Sequence, residues 1–402
     1  MINHILLTTA VIIFATCHTT TLSSPVKAIY WSENQIFPPS SINTSLFTHV
    51  YYAFLFPNNL TYALHVSDAT ASTLTNFTTT LRAKTPPVKT ILSIGGSNSN
   101  ASLFALIAST AATRASFINS TIQVSRTFGF DGIDLDWEFP RDSNQMNDLG
   151  QLFHEWRLAI SADAVATRRP PLLLTAAVYF AVDFFLSSTP PHKYPVDSIN
   201  QNVDWVNVMS YSLRGPWGNV TGAPSGLFDP IQNISVSFGL QSWIQGGVVP
   251  EKVVMGLPLY GMTWQLQDPN VHGIGSDATG PGPGLNGAMA YFQVVEFNNQ
   301  SGAKVAYDVE TRSVYSYSGS SWVGYDDPLT VTVKVAYAQA LCLRGYFFWA
   351  AGFDTSDWKI STQGYKGSNR DNLLQKNCRW ITHKSHIQLH SASKYSGLEL
   401  AD

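Results

Sequence analysis

Eight short apolar runs, separated by segments of helical period, restrict the fold more than any other feature of this sequence. They are Val26–Trp31, His49–Phe54, Thr90–Ile94, Gly132–Trp137, Leu172–Val178, Trp205–Met209, Val253–Leu257 and Tyr346–Trp349. Each has strand length and is rich in β-branched or aromatic residues. Between them, Leu103–Ala112, Thr113–Thr127 and Asn147–Ala166 repeat apolar residues at three- and four-residue steps, the period of an amphipathic helix. Alternating strands and helices predict an α/β protein with a parallel sheet. Eight such units predict a (β/α)8 TIM barrel. A chain of 402 residues with 45% hydrophobic residues can fill such a core.

One connection is too long. About ninety residues separate the seventh and eighth runs, far more than a crossover needs. They hold short strand-like pieces at Val305–Asp308, Ser313–Tyr317 and Ser321–Tyr325, with Gly/Pro turns such as Gly280–Gly284. An α+β subdomain inserted over residues 262–327 is expected, standing beside the C-terminal mouth of the barrel. The barrel domain as a whole is expected over 25–366. Residues 367–402 read as a polar, irregular tail. Its His383, His386 and His390 have helical spacing, but a solvated tail accounts for them without a metal.

At the N-terminus, Ile5 to Ala15 are apolar, too short a run to span a bilayer but suited to the core of a secretory signal peptide. Residues 1–24 are read that way, with cleavage after Cys17 or near Ser23-Ser24. Eight N-glycosylation sequons follow, at Asn43, Asn59, Asn76, Asn100, Asn119, Asn219, Asn233 and Asn299. Behind a signal peptide they predict a secreted glycoprotein, with vacuolar delivery as the alternative destination. No second apolar run is long enough to anchor the mature chain. Of three cysteines, Cys17 leaves with the signal, Cys378 lies in the tail, and Cys342, within Ala338–Leu343, reads as a buried free thiol. The net charge of −3 and the absence of a basic stripe exclude nucleic acid as a partner. A monomer is expected.

The chemistry gathers on the fourth run, Asp131-Gly-Ile-Asp-Leu-Asp-Trp-Glu138. On a strand, Asp134, Asp136 and Glu138 share one face, roughly 7 Å apart per step. Sheltered carboxylates that close cannot all ionise, so at least one pKa must rise. A carboxyl group still protonated near neutral pH is what glycosidic cleavage needs. Glu138, at the tip with the longest reach, is the expected general acid. An exposed acidic edge strand and a divalent-metal site are the alternatives, but no further carboxylate-rich segment converges to complete a metal site. No cofactor is expected.

Other strand ends carry aromatic and small residues: Tyr30-Trp31, Ala53-Phe54, Gly95-Gly96, Met209–Ser212 and Phe348-Trp349. Together they outline a sugar-sized, aromatic-lined pocket. None of these ends supplies a second Asp or Glu. A glycosidase normally places one about 5–5.5 Å from the acid for retention, or about 6.5–9.5 Å for inversion. Without it, the attack can come from the 2-acetamido group of the substrate, through an oxazolinium ion. That restricts the substrate to N-acetylglucosamine-type sugars.

These residues resemble family 18 glycoside hydrolases, and plant class V chitinases in particular. Asp131–Glu138 matches the DGxDxDxE signature and Ser93–Gly96 the SxGG motif; Val26–Trp31, Leu46–His49, Gly256–Gly261, Gly324–Pro328 and Gly345–Trp349 follow the class V pattern in order. The resemblance covers about Val26 to Trp358. It implies an endochitinase (EC 3.2.1.14) acting on chitin or N-acetylglucosamine oligosaccharides. It implies that Glu138 is acid and then base. Asp136 would bridge Asp134 and Glu138, turn toward Glu138 and hold the acetamido nitrogen. Tyr211 would bond the acetamido oxygen, Trp349 would floor the subsite, and Tyr30, Phe54, Met209, Ser212, Gly95 and Gly96 would complete the substrate-binding set. Two positions depart from the pattern. Ser212 stands where relatives carry aspartate, and Met262 where many carry arginine. The departures leave open a chitinase-like lectin that binds without cutting, although a pure lectin has no chemical reason to keep Glu138. Polymer, short oligomers and lipo-chitooligosaccharides all suit the cleft at this level.

Overall fold

The computed structural model describes residues 24–33, 36–184 and 191–369. Its elements follow the chain as β1 (Val26–Ser32), β2 (His49–Leu55), α1 (Asp68–Ala83), β3 (Lys89–Gly95), α2 (Ala101–Ser109), α3 (Ala111–Phe128), β4 (Gly132–Asp136), α4 (Ser143–Thr167) and β5 (Leu173–Val178). A two-residue ribbon, β6 (Asp183–Phe184) with β7 (His192–Lys193), precedes α5 (Val196–Asn202), β8 (Trp205–Val208), α6 (Val236–Gln245) and β9 (Val253–Pro258). The insertion comprises β10 (Tyr260–Leu266), β11 (Ala278–Pro281), β12 (Ala288–Ala290), α7 (Tyr291–Ser301), β13 (Lys304–Asp308), β14 (Ser313–Ser318) and β15 (Ser321–Tyr325). The chain returns through α8 (Pro328–Ala340), β16 (Gly345–Trp349) and α9 (Lys359–Ser368).

The eight expected strands all form, and they close as a parallel barrel in the order β1-β16-β9-β8-β5-β4-β3-β2. Alternation along each strand explains the closure, because successive side chains point to opposite faces. In β1, Val26, Ala28 and Tyr30 enter the inner cluster with Tyr51, Ile91, Trp205, Val254 and Phe347. Ile29 and Trp31 point outward into the larger cluster between strands and helices. The helices are capped by polar side chains that satisfy otherwise orphaned amide groups. Thr110 accepts from Thr113 N at the start of α3, and Asp142 accepts from Gln145 N at the start of α4. Gly129, at φ 74°, ends α3 in the left-handed conformation that glycine adopts without steric cost.

The insertion is a six-stranded sheet with main order β11-β10-β15-β14-β13, and β12 paired to β10. Its own small core holds Trp264 against Trp322, edge to face with ring centres 5.2 Å apart. The three expected strand pieces are β13, β14 and β15. The sheet begins earlier than expected, at Tyr260, and β10, β11, β12 and α7 are additions to the reading from sequence. Met262 lies on β10 and packs with the Trp264 cluster.

Two expectations are corrected. Cys342 is not a buried free thiol: it is half-buried and disulfide-bonded, with its partner cysteine outside the described residues. The irregular tail does not begin at Gly367, because Gly367 and Ser368 close α9, with Gly367 buried against Val335. Lys27 Nζ donates to Asn369 Oδ1 at 2.7 Å, tying this end to the barrel. The leader residues, Cys17, Cys378 and the three tail histidines lie outside the described residues. All eight sequon asparagines are exposed. Among the described residues, no single helix is long and apolar enough to cross a membrane.

Candidate active site

The acidic ladder of β4 rises from the barrel core to its mouth. Asp134, at the bottom, is fully buried and saturated with hydroxyl donors. Tyr30 Oη donates to its Oδ2 at 2.9 Å, Ser93 Oγ to the same atom at 2.7 Å, and Thr175 Oγ1 to Oδ1 at 2.6 Å. Burial still pushes its pKa up, and these hydrogen bonds oppose the rise. Tyr30 in turn accepts from Asn207 Nδ2 at 2.9 Å, so a buried polar chain crosses the barrel interior beneath the site.

Asp136 is the next step and is 4% exposed. Its side chain forms no hydrogen bond among the described residues, and its Oδ1 is a buried acceptor without a partner. Burial, then the charges of Glu138 and Asp134, hold its pKa well above the ordinary value. The bridge expected from Asp136 to Asp134 is not made, because both oxygens of Asp134 are already held by hydroxyls. Glu138 stands at the top, half-buried at the end of the turn after β4. Burial pushes its pKa up to about 7. Two carboxyl groups that both resist ionisation hold a proton between them near neutral pH.

Above this ladder lies a cavity of about 390 Å³ lined by Asp136, Glu138, Tyr211, Met209, Ser212, Phe54 and Trp349. Asp136 and Glu138 are its only lining carboxylates. Trp349 stacks on Phe54 with ring centres 5.6 Å apart and planes 20° off parallel, and tilts over Tyr30 at 5.6 Å. Burial and the nearby Tyr260, Asp136, Glu138 and Asp134 raise the Tyr211 pKa well above its usual value. Tyr211 therefore stays a neutral phenol able to donate a hydrogen bond.

Three residues expected to touch substrate sit elsewhere. Tyr30 is 1% exposed and lies below the floor, while Gly95 and Gly96 do not line the cavity. Their contribution is room. A Cβ on Gly95 would lie 2.1 Å from the Asp136 carbonyl oxygen, and one on Gly96 would lie 2.5 Å from the Phe54 ring. Both have positive φ, 117° and 84°, so glycine is required twice over.

The cavity also has walls that the sequence did not single out: Ser97, Phe139, Tyr179, Phe180, Leu213, Trp217 and Tyr260. Tyr179 and Phe180 directly follow β5, and their position after a strand end was the available signal. Tyr260 lies 2.5 Å from Ser212 through its hydroxyl, and Ser212 adopts φ 53° to reach it. Among the described residues, no group of three His, Cys, Asp or Glu is placed to hold a metal ion.

Comparison with known proteins accords with this geometry. Residues 26–354 match the family model described as "Glycosyl hydrolases family 18". The chain belongs to glycosyl hydrolase family 18. It is 68% identical over 341 residues to Nod factor hydrolase protein 1 of Medicago truncatula, covering 84% of this chain and 88% of the relative. It is 64% identical over 341 residues to class V chitinase CHIT5b of the same plant, covering 85% and 90%. Its fold is similar to that of a family 18 chitinase from Cycas revoluta in complex with (GlcNAc)3, with TM-score 0.81, 39% identity and coverage of 85% and 99%. Family 18 membership and the similarity to plant class V chitinases agree with the closed barrel and with the carboxylates on its fourth strand.

Proposed function

We propose that this family 18 protein is a secreted chitinase that hydrolyses β-1,4 bonds between N-acetylglucosamine units with retention, using the acetamido group of its substrate as nucleophile. The observation that carries this reading is the cavity's carboxylate set. Both carboxylates come from one strand, so neither lies across the cavity from the acid as a nucleophile must. Glu138, held protonated toward pH 7 by burial, donates to the glycosidic oxygen and then takes a proton from water. Asp136 offers its unpartnered, buried Oδ1 to the acetamido N–H and so turns the acetamido oxygen toward the anomeric carbon. Tyr211, a neutral phenol, donates to that oxygen as it takes on oxazolinium character. Trp349 provides a flat apolar floor for the reacting sugar. The names of the similar proteins, chitinase and Nod factor hydrolase, support this substrate class.

The test is Glu138→Gln on N-acetylglucosamine hexamer. The substitution keeps shape and removes the proton donor, so turnover should fall by at least the roughly 10²–10⁴-fold that general acid catalysis contributes, while hexamer binding persists. A variant that keeps more than a tenth of turnover would remove Glu138 from the role. A wild type that binds hexamer and never cuts it would favour a sugar-binding lectin.

A further inference from the structure

A second cavity, of about 710 Å³, opens beside the first between the loop that follows β8 and the insertion. The two share Leu213 and Trp217 as a common wall. Its exposed lining is apolar: Trp217 is 67% exposed, Val220 47%, Phe228 39% and Ile231 85%. The charged side chains around it are largely spent on one another. Arg214 Nη2 donates to Asp229 Oδ2 at 2.7 Å and to Gln232 Oε1 at 3.0 Å. Asp229 Oδ1 accepts the backbone N–H groups of Ile231 and Gln232, and Asp308 Oδ1 accepts both polar groups of Thr311.

A sugar would need hydrogen-bond partners that this groove has already used. An alkyl chain needs none, and it gains from each methylene removed from water. We infer that the second cavity receives an apolar substituent, an alkyl or acyl chain, carried by the oligosaccharide bound in the adjoining cleft. This rests on the oligosaccharide reading of that cleft. Continuity through Leu213 and Trp217 puts such a chain within reach while the sugar stays over Trp349.

The test compares affinities of the Glu138→Gln protein for N-acetylglucosamine pentamer and for the same pentamer N-acylated on one terminal sugar with eight or sixteen carbons, below micelle concentration. Each buried methylene can tighten binding by up to about fourfold. The acylated pentamer should therefore bind at least about tenfold tighter, and the sixteen-carbon chain tighter than the eight. Adding Val220→Ser and Ile231→Ser, at solvent-exposed positions, should erase most of that gain and leave the plain pentamer's affinity within twofold. The same pair in the wild-type background should leave plain-pentamer turnover unchanged, which verifies the fold. Equal affinities for plain and acylated pentamers overturn the inference alone, as does a gain that survives both substitutions. Self-association abolished by the pair assigns the face to a second copy and also overturns it. No binding of either pentamer overturns this inference and the oligosaccharide reading together.

Discussion

Glu138 has no hydrogen-bond partner among the described residues, so its raised pKa comes from burial and from sharing a site with Asp136. The rate of the acid-dependent step should decline above about pH 7, tenfold per unit once the proton is lost. A pH–rate profile of kcat/KM on hexamer checks this, and a limb near the ordinary 4.5 would contradict it. The same shift acts on stability. A carboxyl whose folded pKa lies above its unfolded value is neutral in both states at low pH. As pH rises from about 4.5 to about 7, the unfolded chain releases its proton first, and stability falls. Glu138→Gln should thus be no more stable than wild type at pH 4. At pH 8 it should be more stable, by at most roughly 3 kcal/mol, read from denaturant unfolding at both pH values. Ser212 tests the departure from the family pattern. An aspartate there would place a charge on the cavity wall, disfavour ionisation of Glu138 and move the alkaline limb upward by up to about one unit. If turnover falls and the limb stays still, the Ser212–Tyr260 pair has replaced what the aspartate does in relatives.

At the scale of elements, the loop between β8 and α6 is the wall common to both cavities, and a buried ion pair fixes it. Lys334 of α8 and Asp326, just after β15, are both fully buried and meet at 2.6 Å. Ser225 of the loop donates to Asp326 Oδ2 at 2.8 Å. Lys334→Met would leave Asp326 buried without its counter-ion and should cost about 3–5 kcal/mol, measured by denaturant unfolding. Replacing both by apolar residues should recover much of the loss. An equal loss in single and double variants would show that packing, not charge, holds this junction. The same elements show where sequence is legible. β-Branched and aromatic runs bounded by turns expose all eight barrel strands, because strand formation there follows local composition. The acidic ladder is legible because three carboxylates on one apolar strand have few uses. By contrast, β11 and β12 are short pieces between glycine- and proline-rich turns, ordered by pairing with β10. Trp217 and Leu213 reach the cavity along a path set by distant contacts such as Ser225 with Asp326. Cys342 sits in an apolar stretch that hides its disulfide, since pairing depends on a residue far along the chain. Tyr30, Gly95 and Gly96 read as substrate contacts from strand ends, yet depth within the barrel, which period alone does not carry, places them below the surface.

The whole molecule joins a barrel that supplies the acid to an insertion that deepens its mouth, with two connected cavities at the junction. Family 18 membership accounts for the barrel, while the carboxylate set carries the mechanism. With no carboxylate facing Glu138 across the cavity, the substrate must complete the site. Cello-oligosaccharides, which lack the acetamido group, should not be cut. Chitin oligomers deacetylated at the reacting sugar should resist cleavage by at least about a hundredfold, judged by product sizing against fully acetylated hexamer. Secretion is proposed from residues outside the described part of the chain, and the eight exposed sequons are available to carry glycans. The most direct test of substrate-assisted cleavage is a proton NMR time course of hexamer hydrolysis that resolves the anomers of the first products. Newly formed reducing ends should appear as the β-anomer and relax to the equilibrium mixture only afterwards. Early appearance of the α-anomer would mean direct attack by water, and would contradict the account.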